Sequence, residues 1–219
     1  MIKTVIFDMD GVIVDTEPVH YFAYHKHFDH LGIDVTDEMY ATLTGNSTKN
    51  VYQKLKETFG LTEEVEALVQ RKRNFFNDAF DEKEDLDLLE GVRKLIVDLY
   101  DNGIQLILAS SASKVTINRV FNRFKLHQYF THIVSGEDFP KSKPDPAIFI
   151  KAAELSGHAK NECIIIEDST NGVKAAKGAG IYCVGYTSIH SQGQHLEEAD
   201  VIINHFDELN SDKIKQITL

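Results

Sequence analysis

The chain has 219 residues, 42% hydrophobic and 26% charged, enough apolar material for a core and too little charge for a disordered tail. No stretch approaches the roughly 20 consecutive apolar residues of a membrane helix, and Met1-Ile2-Lys3-Thr4-Val5 opens without the apolar core of a secretion signal, so a cytoplasmic protein is expected. The 34 acidic residues against 23 basic ones give −11, a balance that repels a phosphate backbone and argues against nucleic acid as a partner.

The first predicted element is the short apolar run at residues 4–7. Strand-sized runs recur at 104–109, 133–134, 163–166, 181–184 and 201–203, each bounded by Gly, Asp or Ser. Helix-period segments lie between the later ones, at 92–100, 115–124, 147–155 and 173–179; Val92, Leu95, Ile96 and Leu99 share one helical face. Apolar runs alternating with helices predict an open parallel α/β sheet covered by helices. Cys163 and Cys183 each sit inside such a run, which fits reduced, buried thiols.

The segment after the first strand breaks this rhythm. Residues 16–87 hold no comparable apolar run, and residues 15–90 carry half of the acids but only about a third of the bases. Their periodicity is helical: Tyr21, Tyr24, Phe28 and Leu31; then Val51, Leu55 and Phe59 within 47–59; then Val65, Leu68, Val69, Phe75, Phe76 and Phe80 within 62–80. A helical insert over 16–87, returning through the charged connector 81–87 to a core of 1–15 and 88–219, is the economical organisation.

The sharpest chemical signal is Asp8-Met9-Asp10-Gly11-Val12, two acids one residue apart where a buried strand ends. Ligands bind at that edge of open α/β sheets. If the strand continued, Asp8 and Asp10 would point to one side, and Gly11 would let the chain turn close to an anion. Adjacent carboxylates repel, so a cation or an unusual proton must settle the pair. An ordinary strand-end turn would explain this motif alone.

Later strand ends carry a complementary set. Ser110-Ser111-Ala112-Ser113 places hydroxyls and helix-start amides after the run 104–109, where a phosphoryl group could sit, although plain N-capping would use the same residues. Lys143 stands in Lys141-Ser142-Lys143-Pro144-Asp145-Pro146, which together with the preceding Pro140 holds three of the four prolines and preorganises the lysine; a surface lysine is the bland alternative. Glu167-Asp168-Ser169 follows the run 163–166 with two acids suited to a hard divalent cation, or simply to a turn.

With these four segments in order, the chain resembles the haloacid dehalogenase superfamily over almost its whole length: Asp8-Met9-Asp10-Gly11-Val12, Ser110, Lys143-Pro144 and Glu167-Asp168 match its four motifs. The resemblance implies a Rossmann-like α/β core with an inserted α-helical cap. It also implies a phosphoric monoester hydrolase in which Asp8 takes the phosphoryl group as an aspartyl phosphate while Asp10 serves as acid and base. Mg²⁺ would be held by the Asp8 carboxylate, the Asp10 backbone carbonyl and Asp168, with Glu167 assisting, and Ser110 and Lys143 would screen the phosphoryl oxygens. The dehalogenases of the superfamily lack a second aspartate where Asp10 stands, so phosphate chemistry is favoured over carbon–halogen cleavage.

A cap that closes over a site excludes water and limits substrate size, which points to small phosphorylated metabolites such as sugar phosphates. Among the relatives in this superfamily, β-phosphoglucomutases and sugar-phosphate phosphatases share this cap type. By that likeness Thr16, His20, Gly45, Thr48, Lys49 and Lys72, with Ser111 from the core, are expected to contact substrate. Mutases place an arginine after Gly-x-Ser in the cap turn; here Gly45-Asn46-Ser47 is followed by Thr48, and Lys49 is a point charge rather than a bidentate fork. This favours a phosphatase over a hexose-phosphate mutase. The family's usual proline before the return-hinge glycine is replaced by Glu90, ahead of Gly91.

The trio Arg71-Lys72-Arg73 reads either as a solvated helix face or as a substrate contact. Of His20, His25, His27 and His30, only His27 and His30 have a helical ligand spacing, and no clear carboxylate accompanies them, so all but His20 read as surface or cap residues rather than a zinc site. A receiver module like those of bacterial response regulators would combine an aspartyl phosphate, a cation, a hydroxyl and a lysine, but it has no lid and no use for Asp10. A monomer is expected.

Overall fold

The computed structural model describes residues 1–188 and 193–217. The chain divides into two compact units, residues 1–15 with 87–219, and residues 16–86. Strand β1 (Thr4–Phe7) is followed by four helices of the second unit, α1 (Glu17–Leu31), α2 (Asp37–Ala41), α3 (Thr48–Phe59) and α4 (Val65–Glu82). The first unit resumes with α5 (Val92–Asp101), β2 (Gln105–Ser110), α6 (Lys114–Phe124), β3 (Phe130–Ser135) and α7 (Ala147–Ser156). It ends with β4 (Cys163–Glu167), α8 (Thr170–Ala179), β5 (Tyr182–Tyr186), β6 (Val201–Ile203) and α9 (Ser211–Gln216).

The six strands form one parallel sheet in the order β3-β2-β1-β4-β5-β6. This is the doubly wound α/β order, and β1 is central because the chain winds outward through β2 and β3, then crosses to β4. All of β1 and β4 is buried, as expected of strands covered on both faces, whereas the edge strands β3 and β6 alternate or lie exposed. The predicted apolar face of α5 is buried, and Cys163 and Cys183 are buried free thiols. One core cluster joins Ile6, Ile107 and Ile165 of the sheet to Phe149 of α7 and Val173 and Ala176 of α8.

The helical unit has its own core, in which Tyr24 and Phe28 of α1 meet Tyr40, Val51, Tyr52, Leu55, Leu68 and Val69. The buried stripe of α1 differs from the sequence expectation. It runs through Val19, Ala23, Tyr24, His27 and Phe28, while Tyr21 is 43% exposed. His27 is therefore not a surface residue: its Nδ1 lies 2.5 Å from the Tyr52 hydroxyl, and its ring packs 5.7 Å from Phe75. Helix α4 starts at Val65 rather than near 62 and extends into the predicted connector as far as Glu82, and Leu86 beyond it is buried. The short helices α2 and α9 each bury a single large apolar side chain, Tyr40 and Ile214, too little to register as a periodic pattern.

Candidate active site

Within the α/β unit, register fixes which strand ends meet. Phe7 pairs with Leu108 on β2 and Ile166 on β4, and the Asp8 amide donates to the Ile166 carbonyl at 3.0 Å. Asp8, Ala109 and Glu167 thus leave three adjacent strands at the same level, beside the point where the winding reverses. The strand does not continue to Asp10. The Met9 carbonyl accepts from the amides of Val12, Ile13 and Val14, and the Gly11 amide donates to the Val14 carbonyl, so Asp8 to Val14 is a tight loop. Gly11 is required in it twice over, by its φ of +81° and because a Cβ there would lie 2.0 Å from Asp168 Oδ2.

Lys143 enters this edge from the loop before α7. It is buried, and its Nζ donates to Asp8 Oδ1 at 2.6 Å, Glu167 Oε1 at 2.7 Å and the Ala109 carbonyl at 3.1 Å, with the Phe149 ring 4.6 Å away. The second oxygen of Glu167 accepts from the amides of Asp168 and Ser169 and from the Ser169 hydroxyl. Ser169 also caps α8 by accepting from the Gly172 amide at 3.0 Å.

Of the segment 110–113, the helix start falls to Ser113 and not to Ser110. Ser110 is the last residue of β2, fully buried, and its hydroxyl accepts from the Ala112 amide; Ser113 caps α6. Ser111 is half-buried beside it, against the backbone of Gly136, and the Ser135 hydroxyl donates to the Ala112 carbonyl at 2.7 Å. Sequence reasoning missed this brace from β3, as it missed the parts played by Ala109 and Gly172, and it placed Ser169 at this edge without giving it a role. Only Ser169, directly after two acids and before a helix, carried a recognisable capping signal.

The remaining candidates belong to the helical unit. Thr16 is buried and its carbonyl accepts from the amides of Val19 and His20 at the start of α1. Lys72 is buried at 1% exposure, which removes it from the solvated-face reading of its trio. Its Nζ lies 2.5 Å from His20 Nδ1 and over the rings of Tyr24, at 4.2 Å, and Phe76, at 5.0 Å; the His20 ring is tilted against Phe76. Arg71 instead pairs with Glu63 at 2.9 Å, as a solvated face would. Gly45 turns the chain at φ +79°, Thr48 opens α3 behind its N-cap Ser47, and Lys49 is exposed, 3.9 Å from Glu66.

A family model described as haloacid dehalogenase-like hydrolase matches residues 5–186. The chain belongs to that family. Similarity extends over nearly full length to β-phosphoglucomutase from Bacillus subtilis, 31% identical across 94% of this chain and 91% of that protein. It extends likewise to a phosphorylated carbohydrates phosphatase from Thermotoga maritima, 30% identical across 91% and 92%. The crystal structure of CbbY from Rhodobacter sphaeroides in complex with phosphate superposes with a TM-score of 0.86 at 26% identity, covering 95% of this chain and 96% of that one. β-Phosphoglucomutase from Clostridium difficile superposes at 0.85 with 29% identity, covering 99% and 96%. Within the haloacid dehalogenase-like hydrolases the chain falls in the β-phosphoglucomutase-like subgroup and is a phosphoric monoester hydrolase.

Electrostatics at the strand ends suit this family's anionic chemistry. Burial pushes the Asp8 carboxyl up to about 7 against the pull of Lys143, with Glu167 and Asp10 adding to the rise. Burial and the neighbouring Glu167 and Asp8 carboxylates also raise Asp168 well above the usual carboxylate range. Burial disfavours charge on Lys143, but Asp8 and Glu167 outweigh it and hold the ammonium protonated. Four carboxyl groups, Asp8, Asp10, Glu167 and Asp168, therefore crowd around one ammonium, a surplus that a hard divalent cation with oxygen ligands would relieve. Among the described residues no three His, Cys, Asp or Glu side chains form a ready metal group. The set implied by resemblance counts the Asp8 and Asp168 carboxylates and the Asp10 backbone carbonyl, with Glu167 assisting, so the donor chemistry fits Mg²⁺.

Proposed function

We propose that this protein is an Mg²⁺-dependent phosphatase of small phosphorylated metabolites, most readily sugar phosphates, acting through an aspartyl phosphate on Asp8. The observation that carries the reading is the Lys143 ammonium held between Asp8 and Glu167 at the end of three adjacent strands. Phosphoryl transfer asks for in-line positioning and screening of the equatorial oxygens, and a fixed, desolvated ammonium supplies both at low reorganisation cost. In this reading one Asp8 oxygen, freed from Lys143 by the incoming phosphate, attacks phosphorus. Asp10 protonates the leaving oxygen and then takes a proton from the water that hydrolyses the intermediate. Ser110 and Ser111 offer hydroxyl and amide donors to the phosphoryl oxygens. Asp8, the Asp10 carbonyl and Asp168 would hold Mg²⁺, which supplies positive charge that lets a carboxylate approach an anionic phosphate. Glu167, with both oxygens engaged by Lys143 and the start of α8, supports the lysine.

The helical unit is proposed to be the cap that selects substrate, with Thr16, His20, Gly45, Thr48, Lys49 and Lys72 as its contacts. A hexose-phosphate mutase is the second reading, supported by the β-phosphoglucomutase relative at 31% identity. Thr48, in place of a mutase-type arginine, favours hydrolysis. Screening phosphorylated metabolites with Mg²⁺ for free phosphate and for isomerised sugar in the same incubation separates the two. Phosphate release without isomer, abolished by chelation and reduced at least about 1,000-fold by Asp8→Asn, is the expected outcome; unchanged release by Asp8→Asn would sink the assignment of the nucleophile.

A further inference from the structure

The seat of Glu167 depends on a missing side chain. Gly172 lies in the first turn of α8, buried, and its backbone is ordinary helix. A Cβ at this position would fall 1.8 Å from Glu167 Cδ, 1.9 Å from Oε1 and 2.1 Å from Oε2. Ordinary contact begins near 3.5 Å, so any side chain at 172 requires the carboxylate to retreat by about 1.5 Å. Every bond of that carboxylate would move with it: Lys143 on one oxygen, Asp168, Ser169 and the Ser169 hydroxyl on the other.

We propose that Gly172 is a positioning residue, whose lack of a Cβ lets the Glu167 carboxylate lie on the first turn of α8 and from there hold Lys143 against Asp8. This rests on the phosphoryl-transfer reading of the site. Glu167 is the flexible partner in the clash and α8 the rigid one, so the acid yields first. The cost therefore falls on the placement of Lys143 before it falls on the helix. A displacement of about 1 Å at a group that screens a reacting phosphoryl costs on the order of 100-fold in rate. Gly178, in the same helix, gives a matched control, because a Cβ there would meet Pro146 at an ordinary 3.4 Å and touch nothing of the site. Both substitutions to alanine raise helix propensity.

The test is a double-mutant cycle of Gly172→Ala with Glu167→Asp, beside Gly178→Ala, read by kcat and KM on para-nitrophenyl phosphate with Mg²⁺, by Mg²⁺ calorimetry and by thermal unfolding. Gly172→Ala should lower kcat about 100-fold with KM within about threefold, whereas Gly178→Ala leaves both unchanged. In the Glu167→Asp background, where the shorter acid clears the added methyl, Gly172→Ala should cost less than about threefold. Equal kcat for the two alanine variants, or the same loss in both backgrounds, would overturn the proposal. Should Gly172→Ala fail to fold, folding of the double variant supports the clash and its failure to fold refutes it. Asp8→Asn keeps the two levels apart: retained phosphate release overturns the reading of the site, while an inactive Asp8→Asn beside a fully active Gly172→Ala overturns the positioning alone.

Discussion

Among the described residues each unit buries one lysine, and the two sit among different groups. Lys143 in the α/β unit is clamped by two carboxylates and a carbonyl. Lys72 in the helical unit meets an imidazole nitrogen and the faces of Tyr24 and Phe76. The first is a charge whose neighbours need it, since removing it leaves Asp8 and Glu167 facing one another in a dry site. The second stands over the faces of two aromatic rings, whose quadrupoles attract a cation. Removing a buried ammonium costs most where its partners are buried carboxylates, as at Lys143.

The largest expected effect follows directly. Lys143→Met should destabilise by roughly 3 to 5 kcal/mol in urea unfolding at pH 7.5, because it uncovers two buried carboxylates, and should lower kcat by at least about 100-fold. Lys72→Met, which takes away cation–π attraction but uncovers neither Asp8 nor Glu167, should destabilise less than Lys143→Met, while raising KM for a sugar phosphate if the helical unit selects substrate. Equal destabilisation by the two substitutions would break the comparison.

A smaller effect sharpens it from the helical side. His27 is buried with its Nε2 lacking a hydrogen-bond partner, and burial, aided by Arg71 and His30, pushes the imidazole down from 6.5 to about 4. The folded form takes up its proton later than the unfolded form as pH falls. Stability is therefore complete above about 6.5 and declines as pH drops toward about 4, by roughly 2 to 3 kcal/mol in all. The paired change His27→Leu with Tyr52→Phe should flatten that part of the profile in urea unfolding; an unchanged slope would show that other groups carry it.

Much of the α/β unit was legible because strands buried on both faces must be apolar throughout: Val5-Ile6-Phe7 and Ile164-Ile165-Ile166 announce themselves. The acids and glycine at strand ends were legible because a turn at that edge needs them and few other residues serve. What escaped was set by reach between distant segments. His27 is interior only because Tyr52 and Phe75 arrive from other helices, and Lys72 only because α1 supplies His20 and Tyr24. Gly172 carries no sign of its importance, since the constraint belongs to Glu167. The step from Asp8 to Asp10 misled in one respect: alternation along a strand stops where the strand stops, and here that is Phe7.

The central position of β1 has a bearing on how the protein is made. Its register partners, Gln105 on one side and Cys163 on the other, lie far along the chain. A ribosome releases Thr4–Phe7 long before either neighbour exists, so this largely apolar segment must wait unpaired while the intervening helices are synthesised. Catalytic competence then comes as a final event of maturation. No truncated product ending before β4 can own half an activity.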